Sequence, residues 1–162
     1  MPPIKRSGFE DTIDKLLKKL KGVIYWYEPA KVPYVIPAKK ANYIPDFVLY
    51  KGKTKKPKKP LTLDSLHDTI LIETKGNFDR ADRTKMLLVK EHNPTLDIRL
   101  VFQNDNYLAK LTKNQKKLKK EKKPFKKQRY SDWCVKHGFP YAIGEIPDDW
   151  LLEKTTRDNR TS

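Results

Sequence analysis

The apolar positions near the N-terminus recur with the period of an α-helix. Ser7 and Glu10 stand in front of them with the spacing of a capping box. We therefore predict a helix that runs to about Lys21 and ends at Gly22. Its apolar face comprises Phe9, Ile13, Leu16, Leu17 and Leu20.

Runs with the composition of β-strands follow, rich in β-branched and aromatic residues. The pattern predicts strands at 23–29 (VIYWYEP), 43–50 (YIPDFVLY), 69–74 (TILIET) and 97–102 (DIRLVF). Asp46 lies within the second of these strands. Residues 31–37 (KVPYVIP) are extended, because Pro33 and Pro37 exclude a helix and a central-strand position for themselves.

Helices are predicted between and after the later strands. Asp79 or Asp82 caps a helix over 83–92 (RTKMLLVKEH), and a helix followed by a strand indicates a βαβ crossover. Residues 131–138 (SDWCVKHG) form a short helix that Ser131 caps and that ends at a glycine. Residues 141–152 close the domain through Ile146, Trp150 and Leu151.

Together these elements predict an α/β fold, with a mixed central β-sheet of four or five strands flanked by helices. We expect one domain over residues 1–153 and a disordered tail at 154–162. Two basic loops, at about 51–68 and 104–129, interrupt connections within the sheet. In the second loop few residues are apolar and Pro124 interrupts any helix, so we expect no packed structure there.

The net charge of +16 is confined to two segments within these basic loops. Residues 51–60 (KGKTKKPKKP) hold six basic residues and no acid, and residues 110–129 hold eleven basic residues and one acid. The rest of the chain is neutral. A solubility feature or a targeting signal would explain such runs, but nucleic-acid phosphate is the partner that we favour, because binding a polyphosphate releases its counterions.

Other classes of protein are disfavoured by the composition. Cys134 is the one cysteine, so there is no intrachain disulfide and no cysteine-rich zinc site, and the chain fits a reducing, cytoplasmic compartment. No long uncharged apolar run indicates a transmembrane helix or a secretory signal. We expect neither a membrane partner nor a small-molecule cofactor.

The candidate chemistry consists of three acids and a lysine at the ends of predicted elements: Glu10, Asp46, Glu73 and Lys75. On a strand, Glu73 and Lys75 share one face. Carboxylates bind hard cations such as Mg²⁺, and a bound cation activates water for phosphodiester hydrolysis. A lysine beside them can orient or deprotonate that water, or stabilise developing charge.

Each of these residues also has a purely structural interpretation. Glu10 can serve only as the capping-box acid, Asp46 can lie at an exposed edge, and Glu73 with Lys75 can be a surface ion pair. We favour the site, since one arrangement accounts for all four residues on a strongly basic protein.

The motifs resemble those of a known family. IPDF followed by IETKG resembles the PD-(D/E)xK nuclease signature. RSGFED, KVPYVIPA, DRTKMLLVKEHNP, LDIRLVF, CVKHG and IPDDW occur in the order found in the bacteriophage endonuclease I family, T-seven type, whose members are Holliday-junction resolvases. The resemblance spans nearly the whole chain apart from the basic loops and the tail. It implies a restriction-endonuclease-like fold in a domain-swapped homodimer.

The resemblance also implies roles for residues of this sequence. Glu10, Asp46 and Glu73 match metal-binding carboxylates, the Thr74 carbonyl completes the coordination, and Lys75 matches the catalytic lysine. The metal is Mg²⁺, with Mn²⁺ as a substitute. Each active site of the dimer takes its helical glutamate from one chain and its strand residues from the other.

We expect DNA contacts from the start of each motif helix and from the lysine-rich loops. The residues concerned are Arg6, Ser7, Arg83, Lys85, Lys53, Lys55, Lys56, Lys58, Lys59, Lys116, Lys117, Lys119 and Lys120. The leading hypothesis is a structure-selective, Mg²⁺-dependent endodeoxyribonuclease that resolves four-way and branched DNA. The alternatives are a less selective nuclease of the same fold and a non-catalytic basic DNA-binding protein.

Overall fold

The computed structural model describes residues 7–36, 39–50 and 61–152 as a mixed β-sheet flanked by helices. The strands are β1 (Tyr25–Tyr27), β2 (Val32–Ile36), β3 (Lys39–Tyr43), β4 (Phe47–Tyr50), β5 (Thr69–Lys75), β6 (Asp97–Phe102) and β7 (Tyr141–Ile143). The helices are α1 (Gly8–Lys19), α2 (Arg80–His92), α3 (Lys113–Lys120), α4 (Tyr130–His137) and α5 (Asp148–Leu152), with a 3₁₀ turn at Asp64–Leu66.

Five strands form the central sheet in the order β1-β4-β5-β6-β7. The first three pair antiparallel, whereas β5, β6 and β7 run parallel. The helix α2 connects β5 to the neighbouring parallel strand β6, which confirms the predicted βαβ crossover. The predicted α/β class and the mixed sheet are therefore confirmed.

The sheet separates two apolar clusters, as the alternation along β5 requires. Ile70 and Ile72 pack in the cluster that contains the apolar face of α1, whereas Leu71 packs in the cluster that contains α2 and α4. Leu71, Glu73 and Lys75 share one strand face by the period of two, so the acid and the lysine lie on the α2 side of the sheet. Thr74 lies on the α1 side.

A separate antiparallel ribbon is made by β2 and β3. Tyr34 and Tyr43 of this ribbon are buried, and β2 packs against α2. Pro33 lies in β2 outside the central sheet, where a missing amide hydrogen is tolerated. The ribbon joins the α1–β1 unit to the strand β4.

Several details of the predicted elements were wrong. Helix α1 ends at Lys19 instead of Lys21. Asp46 does not lie within a strand: it occupies a bend directly before β4, because Pro45 has no amide hydrogen to extend the ladder. Ser131 does not cap α4; the cap is Arg129, whose amide donates to Asp132, while the Ser131 hydroxyl donates to Asp105 at 2.7 Å.

The basic loops also differ from the prediction. The second one contains the helix α3, which begins at a capping box of Thr112 and Gln115 before Pro124 is reached. Part of the first, at 61–68, forms the 3₁₀ turn, in which Leu66 is buried. Residues 51–60 and the expected disordered tail at 154–162 lie outside the described residues. In the described ranges no helix has the length and apolarity needed to cross a membrane.

The left-handed glycine that ends α4 allows a test of the fold. Gly138 has φ +67°, and a Cβ atom there would lie 3.2 Å from Lys90 Nζ, which donates to the carbonyls of His137 and Gly138. Gly144 also has a positive φ, but a Cβ atom there meets nothing within 4 Å.

We predict that Gly144→Ala lowers the free energy of unfolding by about 1–2 kcal/mol through backbone strain alone. Gly138→Ala adds the displacement of Lys90 and costs about 1 kcal/mol more. Urea unfolding followed by circular dichroism measures both variants. Equal losses would show that the contacts of Lys90 do not stabilise the end of α4.

Candidate active site

Asp46 connects the end of β5 to the end of β1. Its Oδ2 atom accepts hydrogen bonds from the Thr74 amide at 2.7 Å and from the Thr74 hydroxyl at 2.8 Å. The bend before β4 therefore places this carboxylate against the end of β5. Its backbone carbonyl accepts the Glu28 amide at 2.9 Å, which ties the bend to the end of β1 as well.

Two further carboxylates approach Asp46 from the α1 side of the sheet. Oxygen atoms of Glu10, Glu28 and Asp46 lie within 4.8 Å of one another. Glu10 is held from both ends: Oε1 accepts the Ser7 hydroxyl at 2.8 Å, and Oε2 accepts the Tyr27 hydroxyl at 2.6 Å. Burial and the hydrogen bond to Glu10 raise the pKa of Tyr27 above its ordinary value, so Tyr27 remains a donor. Capping and participation in the acidic cluster are thus compatible roles for Glu10.

Glu73 and Lys75 form the α2 side of the site. The Lys75 ammonium lies 3.0 Å from Glu73 Oε1 and 3.1 Å from Asp82 Oδ1, and Lys85 Nζ lies 3.7 Å from the same Glu73 oxygen. Glu73 is 3% exposed, so this pair is not the solvated surface pair that is worth little. Burial lowers the pKa of Lys75, but the two carboxylates outweigh it and raise the pKa above its ordinary value. Lys75 is therefore an ammonium group at neutral pH.

Burial and the accumulated negative charge both raise the pKa of neighbouring groups. Burial and the nearby Glu73 carboxylate raise the pKa of Asp46 to about 7, against the opposing effect of the Thr74 hydrogen bonds. Burial, and then the charges of Glu73 and Asp46, raise the pKa of Tyr43 far above its ordinary value. Among the described residues, Lys75 and Lys85 pair with Glu73, but no ion pair neutralises Glu10, Glu28 or Asp46.

A divalent cation fits this arrangement. Glu73 Oε2 is buried, and within the described ranges it has no hydrogen-bond partner. An orphaned buried carboxylate oxygen is costly unless something compensates it. Oxygen atoms from several carboxylates are also the ligands that Mg²⁺ and Ca²⁺ prefer. Glu10, Glu28 and Asp46 are the side chains whose oxygens lie close enough together to hold such an ion. Glu73, which was predicted as a ligand, is a neighbouring buried acid outside that group.

Glu28 is the member of the cluster that the sequence analysis missed. It lies just after β1 with φ 43°, a left-handed conformation that is uncommon for a residue other than glycine. Its position depends on the pairing of its amide with the Asp46 carbonyl. The one available signal was an acid directly before Pro29, at the end of a predicted strand.

The residues expected to contact DNA fall into three groups. Arg6 and the five lysines between Lys53 and Lys59 lie outside the described residues. Ser7 and Arg83 are engaged within the fold, Ser7 with Glu10 and Arg83 with the Phe78 carbonyl at 2.7 Å. Lys85 lies beside Glu73, and the four expected lysines of α3 are exposed.

Comparison with known proteins identifies the family of this chain. The family model described as phage endonuclease I matches residues 3–161. The chain is 38% identical over 148 residues to "Endonuclease I" of Escherichia phage T7, covering 91% of this chain and 78% of that protein. It is 39% identical over 142 residues to "Endodeoxyribonuclease 1" of Enterobacteria phage T3, covering 88% of this chain and 73% of that protein.

Carboxylates grouped beside a fixed ammonium group suit the hydrolysis of phosphodiesters, in which negative charge must be stabilised as it develops. The class of this protein is accordingly phosphodiester hydrolase. Within that class, the chain belongs to the phage endonuclease I family.

The raised pKa of Asp46 predicts an unusual dependence of stability on pH. The folded protein holds this proton up to about pH 7, whereas an ordinary aspartate releases it near 3.8. The native state thus binds more protons between these values, and stability falls as the pH rises through them. Asp46→Asn keeps an oxygen to accept from Thr74 but removes the charge.

In EDTA at pH 8 we expect Asp46→Asn to be more stable than the wild type by about 1–3 kcal/mol, with no difference at pH 4. Urea unfolding at both pH values measures this, and Asp148→Asn at an exposed position is the matched control. Added divalent cation should stabilise the wild type more than Asp46→Asn. A variant that is less stable at pH 8 would contradict the proposed crowding of charge.

Proposed function

We propose that this protein is a divalent-metal-dependent endodeoxyribonuclease that resolves four-way and branched DNA junctions. The observation that carries the proposal is the convergence of Glu10, Glu28 and Asp46 beside the buried Glu73, one of whose oxygens has no hydrogen-bond partner among the described residues. Capping of α1 by Glu10 and the ion pair of Glu73 with Lys75 do not by themselves require this concentration of negative charge. It suits a cation that is Mg²⁺ in the cell and that Mn²⁺ can replace.

The proposed metal ligands are Asp46, Glu73 and Glu10, with Glu28 beside them and the Thr74 carbonyl added on the strength of the family resemblance. A cation bound there would lower the pKa of a bound water and neutralise charge on the transition state. Thr74 orients Asp46 through two hydrogen bonds. Ser7 and Tyr27 orient Glu10 in the same way.

Lys75 is proposed as an electrostatic catalyst. Its raised pKa keeps it protonated, so it is a poor general base and a good donor to a phosphate oxygen or to the attacking water. The side chain is 19% exposed, so it can reach substrate while Glu73 and Asp82 hold it in position. Of the roles that the sequence left open for Lys75, charge stabilisation and orientation of the water are therefore favoured over deprotonation of the water.

Branched DNA is proposed as the substrate on two grounds. The family resemblance implies junction resolution, and the T3 relative is named an endodeoxyribonuclease. The charge of the chain is concentrated in lysine-rich segments and suits recognition of phosphate backbones and their shape more than of base edges. The nuclease domain is proposed to span residues 1–153, and a phage enzyme of this kind would act in the host cytoplasm.

A homodimer is proposed because resolving a junction requires cuts in two strands and each chain carries one such site. In the computed structure Glu10 lies beside Asp46 of the same chain. If α1 and β1 exchange between protomers, as the family resemblance implies, the same contacts form between chains. The ribbon of β2 and β3 is the proposed crossing segment, since it joins these elements to β4.

We expect the wild type to cut a synthetic four-way junction in Mg²⁺ and to leave a linear duplex of the same sequence largely intact. Lys75→Ala and Asp46→Asn should each lower the single-turnover rate by about 10²–10³-fold, since each removes charge stabilisation from the transition state. Lys136→Ala at an exposed position is the control for lysine removal.

Gel analysis of labelled strands measures the paired nicks, and binding in EDTA shows whether each variant still recognises DNA. Equal cutting of the linear duplex would favour the less selective nuclease. Metal-independent binding without cleavage would favour the non-catalytic protein.

Mixed dimers test the exchange directly. We expect equimolar mixing and refolding of inactive Glu10→Gln with inactive Lys75→Ala to restore nicking. In an exchanged dimer one site receives both defects, whereas the other receives Glu10 and Lys75 intact. With unexchanged chains every site keeps one defect, so the absence of any recovery, with mixed dimers demonstrated by mass spectrometry, would rule the exchange out.

A further inference from the structure

The second basic segment is folded into a distinct arm, which we define as residues 107–129. Its two limbs are joined at the base by a β-bridge between Tyr107 and Arg129. The Leu108 amide donates to the Gln128 carbonyl at 2.9 Å, and the Arg129 guanidinium stacks on the Tyr107 ring at 4.4 Å. The lysines of this segment are therefore carried on a closed stem.

The arm has a small interior of its own. Leu111, Leu118 and Phe125 are partly buried, and the Phe125 ring lies 5.8 Å from that of Tyr107. The limbs are tied again further out, where Gln115 donates to the Lys126 carbonyl at 3.2 Å. Because Leu111 and Leu118 recur at helical spacing around α3, the opposite surface of this helix faces solvent.

That outer surface carries uncompensated positive charge. Lys113, Lys116 and Lys120 follow the spacing i, i+3, i+7, are exposed, and have no ion pair within the described part of the chain. The one acid of the arm, Glu121, already lies 2.8 Å from Lys123 and 4.0 Å from Lys117. At 1.5 Å per residue, the three free ammonium groups span about 10 Å along the helix axis.

The base of the arm is attached to the end of the sheet where the candidate active site lies. The arm follows β6, whose last residue, Phe102, pairs with Lys75. The Gln103 amide donates to the Lys75 carbonyl at 3.0 Å. At the other limb, the Tyr130 hydroxyl accepts the Phe78 amide at 3.1 Å and lies 3.3 Å from Asn77 Oδ1. The residues on either side of the arm, Gln103 and Tyr130, thus hydrogen-bond to residues at or just after Lys75.

We propose that the arm is a second DNA-binding surface, on which Lys113, Lys116 and Lys120 bind the phosphate backbone of a duplex that leaves the cleavage site. The proposal rests on the proposed function, in which DNA phosphate is the substrate. The positive charge that binds DNA would then lie on one face of α3 and would not be spread evenly over the lysine-rich segment. Lys117 and Lys119 contribute less, because Lys117 lies near Glu121 and Lys119 lies over the Tyr107 ring at 5.6 Å.

The test compares two triple variants of the full-length protein that lose the same net charge. The arm variant is Lys113→Gln, Lys116→Gln and Lys120→Gln, and glutamine preserves the helix propensity of lysine. The control variant is Lys15→Gln, Lys19→Gln and Lys136→Gln, at exposed positions outside the arm. Circular dichroism and urea unfolding establish that both variants are folded like the wild type.

Binding to a labelled four-way junction is measured in EDTA over a range of salt concentrations. We expect the arm variant to bind at least 10-fold more weakly than the control at 100 mM salt. The slope of log K against log salt should become shallower by about 2–3, as the loss of three phosphate contacts predicts. Equal affinities and equal slopes for the two triple variants would overturn the proposal.

The outcome separates this proposal from the proposed function. A wild type that neither binds nor cuts junctions would refute the proposed function, whereas a wild type that cuts while the arm variant matches the control refutes the arm alone. Polyglutamate serves as the other probe. Loss of polyglutamate binding by the arm variant, with its DNA affinity equal to the control, would overturn the proposal in favour of an acidic protein partner.

Discussion

Repulsion between carboxylates at one end of the sheet is the constraint on which the rest of the site depends. Glu10, Glu28 and Asp46 approach one another within 4.8 Å, and Glu73 adds a further charge that is almost wholly buried. Such a group is costly unless it is hydrogen-bonded or neutralised. Hydrogen bonds offset part of this cost. Thr74 donates to Asp46, and Ser7 and Tyr27 donate to Glu10. A bound cation would neutralise the remaining negative charge and reduce the repulsion between the site and a phosphate group.

The sheet explains how one short strand serves both sides of the site. On β5, the alternation of side chains directs Thr74 toward α1 and the acid–lysine pair toward α2, while Ile70, Leu71 and Ile72 anchor the strand in both apolar clusters. Because β5 is buried between β4 and β6, its end is held rigidly, and rigid support is what preorganised electrostatic catalysis requires. The arm follows β6 at the same end of the sheet, so its proposed phosphate-binding surface and the acidic site are held by the same strands.

Much of this arrangement could be predicted from local patterns, and the rest depends on tertiary contacts. The period of two placed Glu73 and Lys75 together, and the capping box placed Glu10 at the start of α1. Glu28 could not be found in this way, since a left-handed backbone and a hydrogen bond to a residue 18 positions later bring it to Asp46. The helix α3 was missed although its Thr112 cap stands in the sequence, because its apolar residues are sparse and become an interior only when the two limbs of the arm meet. Lysine content alone suggested a solvated loop.

The carboxylates of Asp46 and Glu73 are proposed to hold a divalent cation between them. Anomalous diffraction from crystals grown in millimolar Mn²⁺ tests this proposal without relying on activity. We expect an ordered peak within about 2.5 Å of oxygen atoms from both residues, in an oxygen-rich coordination shell. A fully occupied Mn²⁺ site elsewhere on the chain, with no peak at these two carboxylates, would contradict it.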